Sequence, residues 1–204
     1  MILIGQYDSP FVRRVGIALT LYRLPFRQEP WSVFGDADRI RPHNPLTRVP
    51  TLVLADGESL IDSHMILDHL DSLVAPAARL FPTTEPDRRR ALRRAALACG
   101  IGDKAVALFY ELRLHQQASD LFVARCRRQI AEGWAELERL QAARPVGGQP
   151  GHAEIAIVAI WRHMQEAHPG LADPAHLPAL AALSARLEAT EPFRAIYQPF
   201  IAPA

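Results

Sequence analysis

A serine stands at the start of a predicted helix, where its hydroxyl could hold an anion. Ser9 directly precedes Pro10 and Phe11, and serine followed by proline is a common beginning for an α-helix. At such an end the free backbone N–H groups and the positive end of the helix dipole favour a negative charge, including that of a thiolate. Plain helix capping explains the same residues, so both interpretations stay open. Tyr7, two residues earlier, offers a second hydroxyl for the same task.

Two further short motifs contain groups that could bind the polar ends of a ligand. Arg48, Val49 and Pro50 lead into a predicted strand, and a cis bond before the proline would leave the backbone N–H and C=O of Val49 open to a ligand. The sequence does not decide between the isomers. At Asp62 and Ser63 a strand passes into a helix, so the helix-end N–H groups and the serine hydroxyl could hold a carboxylate, and Asp62 an ammonium group. Helix capping is again the alternative.

The spacing of apolar residues before residue 75 predicts alternating strands and helices around these motifs. An Asp-Gly pair at positions 56–57 is a strong hairpin signal. The predicted order is β-α-β-(α)-β-β-α, made of a strand at 2–4, a helix from Pro10 that Pro25 stops, a strand at 26–31, a short irregular helix within 36–47, hairpin strands at 51–54 and 59–61, and a helix that Asp62 and Ser63 begin.

From residue 82 onward the pattern predicts helices alone. We expect a proline-bounded linker at 76–83, and then a long helix that Thr83 or Thr84 can cap. Ile155–Trp161 is apolar on all sides, which is typical of a helix packed inside a bundle. A further helix is predicted at 177–188. The predicted fold class is therefore an α/β first domain, residues 1–75, followed by an all-α second domain, residues 84–204.

Composition and charge exclude several classes of protein. The chain has 204 residues, and its 23 basic and 22 acidic side chains leave a net charge of +1, which argues against nucleic-acid binding. Cys99 and Cys126 are too few for a disulfide scaffold and wrongly spaced for zinc, and His64 and His69 lie on different faces of a helix, so no metal site is predicted. With no visible signal peptide and no apolar run long enough for a membrane, we expect a cytoplasmic protein without membrane partners.

The three motifs, in this order and spacing, resemble the cytosolic glutathione S-transferase family and above all its serine-type classes, tau and zeta, with their bacterial relatives. The resemblance covers essentially the whole chain and implies a thioredoxin-like first domain (βαβαββα), a linker and an all-helical second domain. It implies that the Ser9 hydroxyl hydrogen-bonds the glutathione sulfur, that the backbone at Val49 pairs with the cysteinyl part, and that Asp62 and Ser63 hold the γ-glutamyl end. The implied glutathione-binding residues are Phe11, Arg48, Val49, Pro50, Asp62 and Ser63.

The resemblance also implies an activity in which the glutathione thiolate attacks a small hydrophobic electrophile. Glutathione is then a co-substrate, and no metal is required. The resemblance further implies a role in detoxification and assembly as a homodimer. The electrophile would bind in a cleft between the domains that Phe11 helps to form. The candidates for this pocket are Tyr7, Asp103, Phe109 and Tyr110.

Three alternatives accompany this interpretation. A non-catalytic ligand-binding or interaction protein of the same fold would keep the same capping residues. A glutathione-dependent isomerase ranks lower, because Asp8-Ser9-Pro10 replaces the Ser-Ser-Cys motif of the zeta class. Tyr7 could supply the hydroxyl, but Ser9 is preferred because it stands directly before the Pro-Phe pair.

Three departures or absences refine the resemblance. No cysteine lies in the first 98 residues, which excludes a Cys-x-x-Cys couple and the cysteine-type members of the family. Asp62 stands where many serine-type members have glutamate. Gly151-His152-Ala153-Glu154 replaces the capping box, Ser or Thr with Asp three residues later, and we expect Glu154 to reach back to the Gly151 N–H.

Overall fold

A computed structural model describes residues 1–144 and 147–202 of the chain. Within these residues the strands are β1 (Ile2–Ile4), β2 (Arg27–Glu29), β3 (Thr51–Val53) and β4 (Ser59–Ile61). The α-helices of the same residues are α1 (Pro10–Tyr22), α2 (Ala37–Ile40), α3 (Ser63–Ser72), α4 (Asp87–Leu114), α5 (Asp120–Ala142), α6 (His152–Ala167), α7 (Pro178–Glu188) and α8 (Glu191–Ala195). A short 3₁₀ turn at Pro76–Ala78 lies between α3 and α4.

The strands form one mixed sheet in the order β2-β1-β3-β4. β1 and β2 are parallel, with Ile2 opposite Arg27, and α1 provides the crossover between them. β3 runs antiparallel to both β1 and β4, with Ile2 opposite Val53 and Thr51 opposite Ile61. The predicted order of elements and the hairpin are therefore confirmed. Because β1 lies inside the sheet and ends at Ile4, the turn that follows it delivers the chain directly to the start of α1.

The helical half surrounds α6, whose residues Ile155–Trp161 are all buried. α4 and α5 pack against this helix or its neighbours through Ala98, Ile101 and Trp134, as expected for the centre of a bundle. α1 of the first half also packs on α6, so the sheet domain and the bundle share one continuous contact. The prediction of an all-helical second half is confirmed. No helix within residues 1–144 and 147–202 is both long and apolar enough to cross a bilayer.

The predicted cap of α4 is wrong. Pro86 takes the position before the first helical residue, and its carbonyl accepts a hydrogen bond from Arg90 at 3.2 Å. Thr84 contributes through its backbone instead, because its carbonyl accepts from the Arg88 N–H at 3.0 Å. The helix therefore begins beyond the reach of the two threonine hydroxyls.

A buried network joins the two halves behind the sheet. Asp71 on α3 accepts hydrogen bonds from the Tyr22 hydroxyl and from Nε2 of His152 on α6, the latter at 3.2 Å. The same carboxylate accepts the Leu80 N–H at 3.1 Å and the Phe81 N–H at 3.3 Å. One side chain thereby ties α1, α3, the connecting segment and α6 together.

Candidate functional site

Ser9 occupies the N-cap of α1 and is half-buried. Its Oγ accepts the Val12 N–H at 3.5 Å, which is at the outer limit of a hydrogen bond. This contact uses an oxygen lone pair, so the hydroxyl proton stays free to bind another acceptor. The side chain therefore caps the helix only weakly and retains a donor at the positive end of α1.

Gly5 brings Val49 against the first turn of the same helix. Its φ of 127° lies in a region that glycine alone occupies easily. A Cβ built on Gly5 would lie 2.5 Å from Val12 Cγ2 and 2.9 Å from Val49 Cβ, so the three residues are in direct contact. The Val49–Pro50 peptide bond, whose isomer the sequence left open, is cis. In the part of the chain that the structure describes, the Val49 N–H and C=O have no hydrogen-bond partner.

Asp62 and Ser63 form the start of α3 as predicted, but one side chain is exposed and the other is buried. Asp62 is exposed, has a φ of 66° that is rare outside glycine, and accepts the His64 N–H on Oδ1 at 2.8 Å. Ser63 is buried, and its Oγ accepts a hydrogen bond from Nη1 of Arg14 at 3.2 Å. Since the arginine donates to the oxygen, the Ser63 proton is available for a different acceptor.

Arg14 is a site neighbour that the sequence reasoning missed. The guanidinium is fully buried, and burial lowers its pKa. Nη1 also contacts the Sγ of Cys99 on α4 at 2.7 Å, and burial raises the pKa of that thiol. The signal for this cluster is long-range, because α1, α3 and α4 each contribute one member. A buried cation thus contacts the Ser63 hydroxyl oxygen from inside the protein.

Charged groups of the first half act electrostatically on residues of α4. Partial burial raises the pKa of Asp103, Arg48 opposes this shift, and Asp62 adds to it. Burial also raises the pKa of Tyr110, and Arg48 again acts in the opposite direction. Arg48 and Asp62 of the first half therefore lie within electrostatic range of Asp103, and Arg48 also lies within range of Tyr110.

Phe11, in the first turn of α1, reaches the backbone of α4. Its Cζ lies 3.2 Å from the position of a Cβ on Gly102, the residue before Asp103. The absence of a side chain at Gly102 is what allows the phenyl ring and the Cδ1 of Ile160 to approach the α4 backbone. Ser9 and the α4 wall are consequently linked through a single aromatic side chain.

The remaining aromatic candidates lie in different environments. Tyr110 meets Phe34, which the sequence reasoning missed, edge to face at 5.6 Å between ring centroids. Phe109 is buried and packs against Phe200 and His168. Tyr7 packs its ring edge 3.0 Å from the Cβ position of Gly16, nearly two turns into α1, and burial raises its pKa to about 12. Of the four predicted pocket residues, Asp103 is exposed, Tyr7 and Tyr110 are half-buried, and Phe109 is buried. Their role in an electrophile pocket stays a prediction.

The departure at residue 151 has a steric explanation. Glu154 Oε2 accepts the Gly151 N–H at 3.0 Å, which confirms the predicted contact. A Cβ on Gly151 would lie 2.6 Å from the carbonyl oxygen of Leu80, so serine or threonine does not fit here without a backbone shift. Glycine therefore replaces the usual cap because the connecting segment passes directly over this position.

The fold and the site together define a thioredoxin-like domain with an N-capping serine, joined to a helical bundle domain. Residues 3–78 match the model of the N-terminal domain of glutathione S-transferase, and residues 120–186 match the model of its C-terminal domain. The chain belongs to the glutathione S-transferase family.

Three relatives illustrate the range of the similarity. The uncharacterized GST-like protein YibF of Escherichia coli (strain K12) is 32% identical over 140 residues, which are 68% of each chain. A glutathione S-transferase of Methylobacterium radiotolerans, solved in complex with glutathione sulfonate, is 33% identical with a TM-score of 0.90, over 100% of this chain and 98% of that one. Maleylpyruvate isomerase of Pseudomonas aeruginosa PAO1 is 29% identical with a TM-score of 0.74, over 96% and 95%.

Proposed function

We propose that this protein is a glutathione transferase, which activates the thiolate of bound glutathione for attack on a small hydrophobic electrophile. The observation that carries the proposal is the Ser9 hydroxyl, a free donor at the N-terminus of α1. The relative from Methylobacterium radiotolerans, which was solved with glutathione sulfonate, supports glutathione as the ligand.

In this proposal the tripeptide lies along residues 1–75. The sulfur accepts from Ser9, and the unpaired backbone groups of Val49 pair with the cysteinyl unit. The Ser63 hydroxyl donates to the γ-glutamyl carboxylate, and Asp62 accepts from the ammonium group. Arg48, Pro50 and Phe11 complete the glutathione site. Residues 84–204 supply the electrophile pocket, and 76–83 connect the two.

Electrostatic interactions determine how far Ser9 and the helix dipole lower the pKa of the glutathione thiol. A free thiol has a pKa of about 8.5, so roughly 3% is ionised at pH 7. One hydrogen bond to the anion plus the helix dipole favour the thiolate by on the order of 2 to 3 kcal/mol, which lowers the thiol pKa by about two units. Intrinsic nucleophilicity falls with the pKa, so the net gain in rate is several-fold. Holding the thiolate against the electrophile supplies the larger part of the acceleration.

The electrophile would bind beside Phe11, between Asp103 and Tyr110, with Phe34 at the edge. In the reaction, thiolate sulfur forms a bond to an electrophilic carbon, the leaving group departs with its electron pair, and the thiol proton has already passed to water. Ser9 acts as a hydrogen-bond donor and forms no covalent bond. No basic side chain is required.

A two-fold dimer is part of the same proposal. α3 and α4 present the exposed apolar side chains Met65 and Leu92 on the surface. Burial of such side chains between two copies is favourable, and two-fold dimers are the commonest oligomers. Sedimentation of the purified chain tests this, and a monomer at micromolar concentration would contradict it.

The hydroxyl is tested by comparing Ser9→Ala with Tyr7→Phe. Using glutathione and chlorodinitrobenzene, we expect Ser9→Ala to lower kcat/KM several-fold at pH 7, with the gap narrowing above about pH 8.5, where a free thiol ionises unaided. Tyr7→Phe should change it little. The ultraviolet absorbance of bound thiolate, followed against pH, should show a pKa that rises only in Ser9→Ala.

Other results would change the assignment. Loss of turnover in Tyr7→Phe alone would transfer the role to the tyrosine. Glutathione binding by calorimetry without turnover of any electrophile would support the non-catalytic alternative. Isomerisation of a small unsaturated acid, as in the similar Pseudomonas aeruginosa protein, would support an isomerase. No glutathione binding at all would refute the proposal.

A further inference from the structure

The end of the chain runs back along the first helix. We call residues 196–202 the C-terminal strap. At one end, Ile196 Cγ2 lies 2.8 Å from the Cβ position of Gly16, and the Ile196 carbonyl accepts from Nε of Arg13 at 2.8 Å. At the other end, the Ile201 N–H donates to Oδ2 of Asp8 at 3.1 Å. The strap therefore runs antiparallel to α1 and ends beside the residue that precedes Ser9.

A second carboxylate fixes the strap from the side of α6. Glu166 Oε2 accepts the Phe200 N–H at 2.8 Å, and Oε1 accepts the Tyr197 hydroxyl at 3.1 Å. Arg162 pairs with the same carboxylate at 2.6 Å and lies 4.5 Å from the centre of the Tyr197 ring. Asp8 and Glu166 thus hold two consecutive backbone N–H groups, at 201 and 200, although the strap has no regular secondary structure.

These contacts place the Phe200 ring against Phe109, one of the residues predicted to line the electrophile pocket. The half-buried Phe200 meets Phe109 of α4 at 5.1 Å and His163 of α6 at 5.3 Å, both at 84° between ring planes. His163 Nδ1 in turn contacts the Asp8 carbonyl at 3.2 Å. Packing contacts therefore lead from the Phe200 ring through the buried His163 to the backbone of Asp8, next to Ser9.

A second aromatic pair lies beside Phe109. Tyr110 and Phe34 meet edge to face there, and the negative charge of Asp8 adds to the raised pKa of Tyr110. Asp8 therefore binds the strap through its carboxylate and also acts electrostatically on Tyr110 of α4. Phe109 contacts both sides of this aromatic cluster, with its ring centroid 6.5 Å from Tyr110 and 5.1 Å from Phe200. We therefore expect a group attached to a sulfur at Ser9 to reach this cluster.

We propose that Phe200 determines the specificity of the electrophile pocket, and that it selects a flat aromatic group over an aliphatic one of similar size. The proposal rests on the proposed function, since it assumes a glutathione sulfur at Ser9. The physical reason is that a planar ring can meet Phe200 or Tyr110 edge to face, as the protein's own rings already do, and gains more than its buried area alone provides. An alkyl chain gains only the burial.

The experiment measures binding and needs no turnover. Calorimetry with glutathione, S-hexylglutathione and S-benzylglutathione is carried out on the full chain and on Phe200→Ala, Phe200→Leu and Phe122→Ala. Phe122 lies on α5, is 37% exposed, and serves as the matched control. We expect the benzyl conjugate to bind the unmodified protein about fivefold more tightly than the hexyl conjugate. Both Phe200 variants should lose this preference, and Phe122→Ala should keep it.

The affinity for glutathione itself distinguishes failure of the Phe200 proposal from failure of the transferase proposal. This affinity should be unchanged in all three variants, which also shows that they are folded. A benzyl preference that survives in Phe200→Leu, or that is missing from the unmodified protein while glutathione binds, would overturn the role of Phe200 and leave the transferase proposal intact. Failure of glutathione to bind the unmodified protein would remove both.

Discussion

Three buried histidines are neutral at pH 7, and one of them, His163, lies next to the candidate site. His163 contacts the Asp8 carbonyl and the Phe200 ring, and burial lowers its pKa to about 4. Burial also lowers the pKa values of His152 and His168. Because an unfolded histidine has a pKa near about 6.5, protons bind the unfolded chain first as the pH falls. The folded state is therefore stabilised above pH 6.5 and loses this contribution as the pH falls towards 4.

We predict that this effect can be measured at His163. Between pH 7 and pH 5 it should lower the free energy of unfolding by about 2 kcal/mol, since about 1.5 pH units lie below the unfolded pKa. His163→Asn, whose amide nitrogen can replace Nδ1, should reduce the pH dependence by that amount. Urea unfolding at both pH values is the measurement. His176→Asn, at an exposed histidine, is the control, and an equal reduction there would contradict the prediction.

The site residues divide into those that local sequence can identify and those that it cannot. Ser9, Asp62 and Ser63 could be selected because each acts within three positions of itself, as a cap or first residue of a helix. Phe34 and Phe200 could not, because their partners lie on other elements far along the chain. The roles of all five in binding stay predictions until the proposed measurements are made.

At the scale of elements, the end of β1, the start of α1 and the entrance to β3 are held together by one glycine. Gly5 combines a φ of 127° with van der Waals contact to Val12 and Val49. Any side chain there would force the helix start and the Val49 backbone apart. The geometry of the proposed sulfur and cysteinyl contacts therefore depends on a residue that touches neither.

We expect Gly5→Ala to lower the free energy of unfolding by about 3 kcal/mol and to weaken glutathione binding in the protein that remains folded. Gly57→Ala is the matched control, because Gly57 also has a positive φ of 92° but nothing lies within 4 Å of its Cβ position. Gly57→Ala should lower the free energy of unfolding by about 1 kcal/mol and leave glutathione binding unchanged. Urea unfolding and calorimetry provide both values, and equal effects at the two glycines would show that close approach is unimportant.

Prediction of the elements succeeded where local chemistry decides the outcome. Strand 2–4, the hairpin at Asp56 and Gly57, and the helix that begins after Ser9 depend on apolar spacing, turn residues and caps. The cap of α4 was predicted wrongly because Pro86 competes with Thr84 for the same position, and spacing cannot rank them. The C-terminal strap was missed because side chains of α1 and α6 determine its path.

For the whole molecule, Asp71 controls the junction between the halves. Burial alone would raise its pKa, but the hydrogen bonds from His152 and Tyr22 outweigh this and hold the pKa of Asp71 below its usual range. The ionised carboxylate therefore stabilises the fold above about pH 4, and this contribution is lost as the pH falls through the lowered value. Four elements depend on that charge.

Asp71→Asn should lower the free energy of unfolding by about 2 kcal/mol at pH 7, because the bound N–H and O–H groups lose their anionic acceptor. Asp68→Asn is the control one turn earlier, where the carboxylate is 72% exposed and its contact with Arg88 is 4.0 Å long. Its effect should stay within about 0.5 kcal/mol. Chemical denaturation of both variants measures these free energies of unfolding. A similar decrease in each variant would show that the Asp71 network does not hold the halves together.

Arg13 is only 2% exposed, and its guanidinium donates to Glu188, to the Phe193 carbonyl and to the Ile196 carbonyl. Each partner lies at least 175 positions later in the chain. During synthesis, the first helix to leave the ribosome must therefore wait for the last segment to be translated before its charge is satisfied. A product that terminates a few codons before position 188 would keep every residue of the sheet and still lack all three partners of the Arg13 guanidinium on α1.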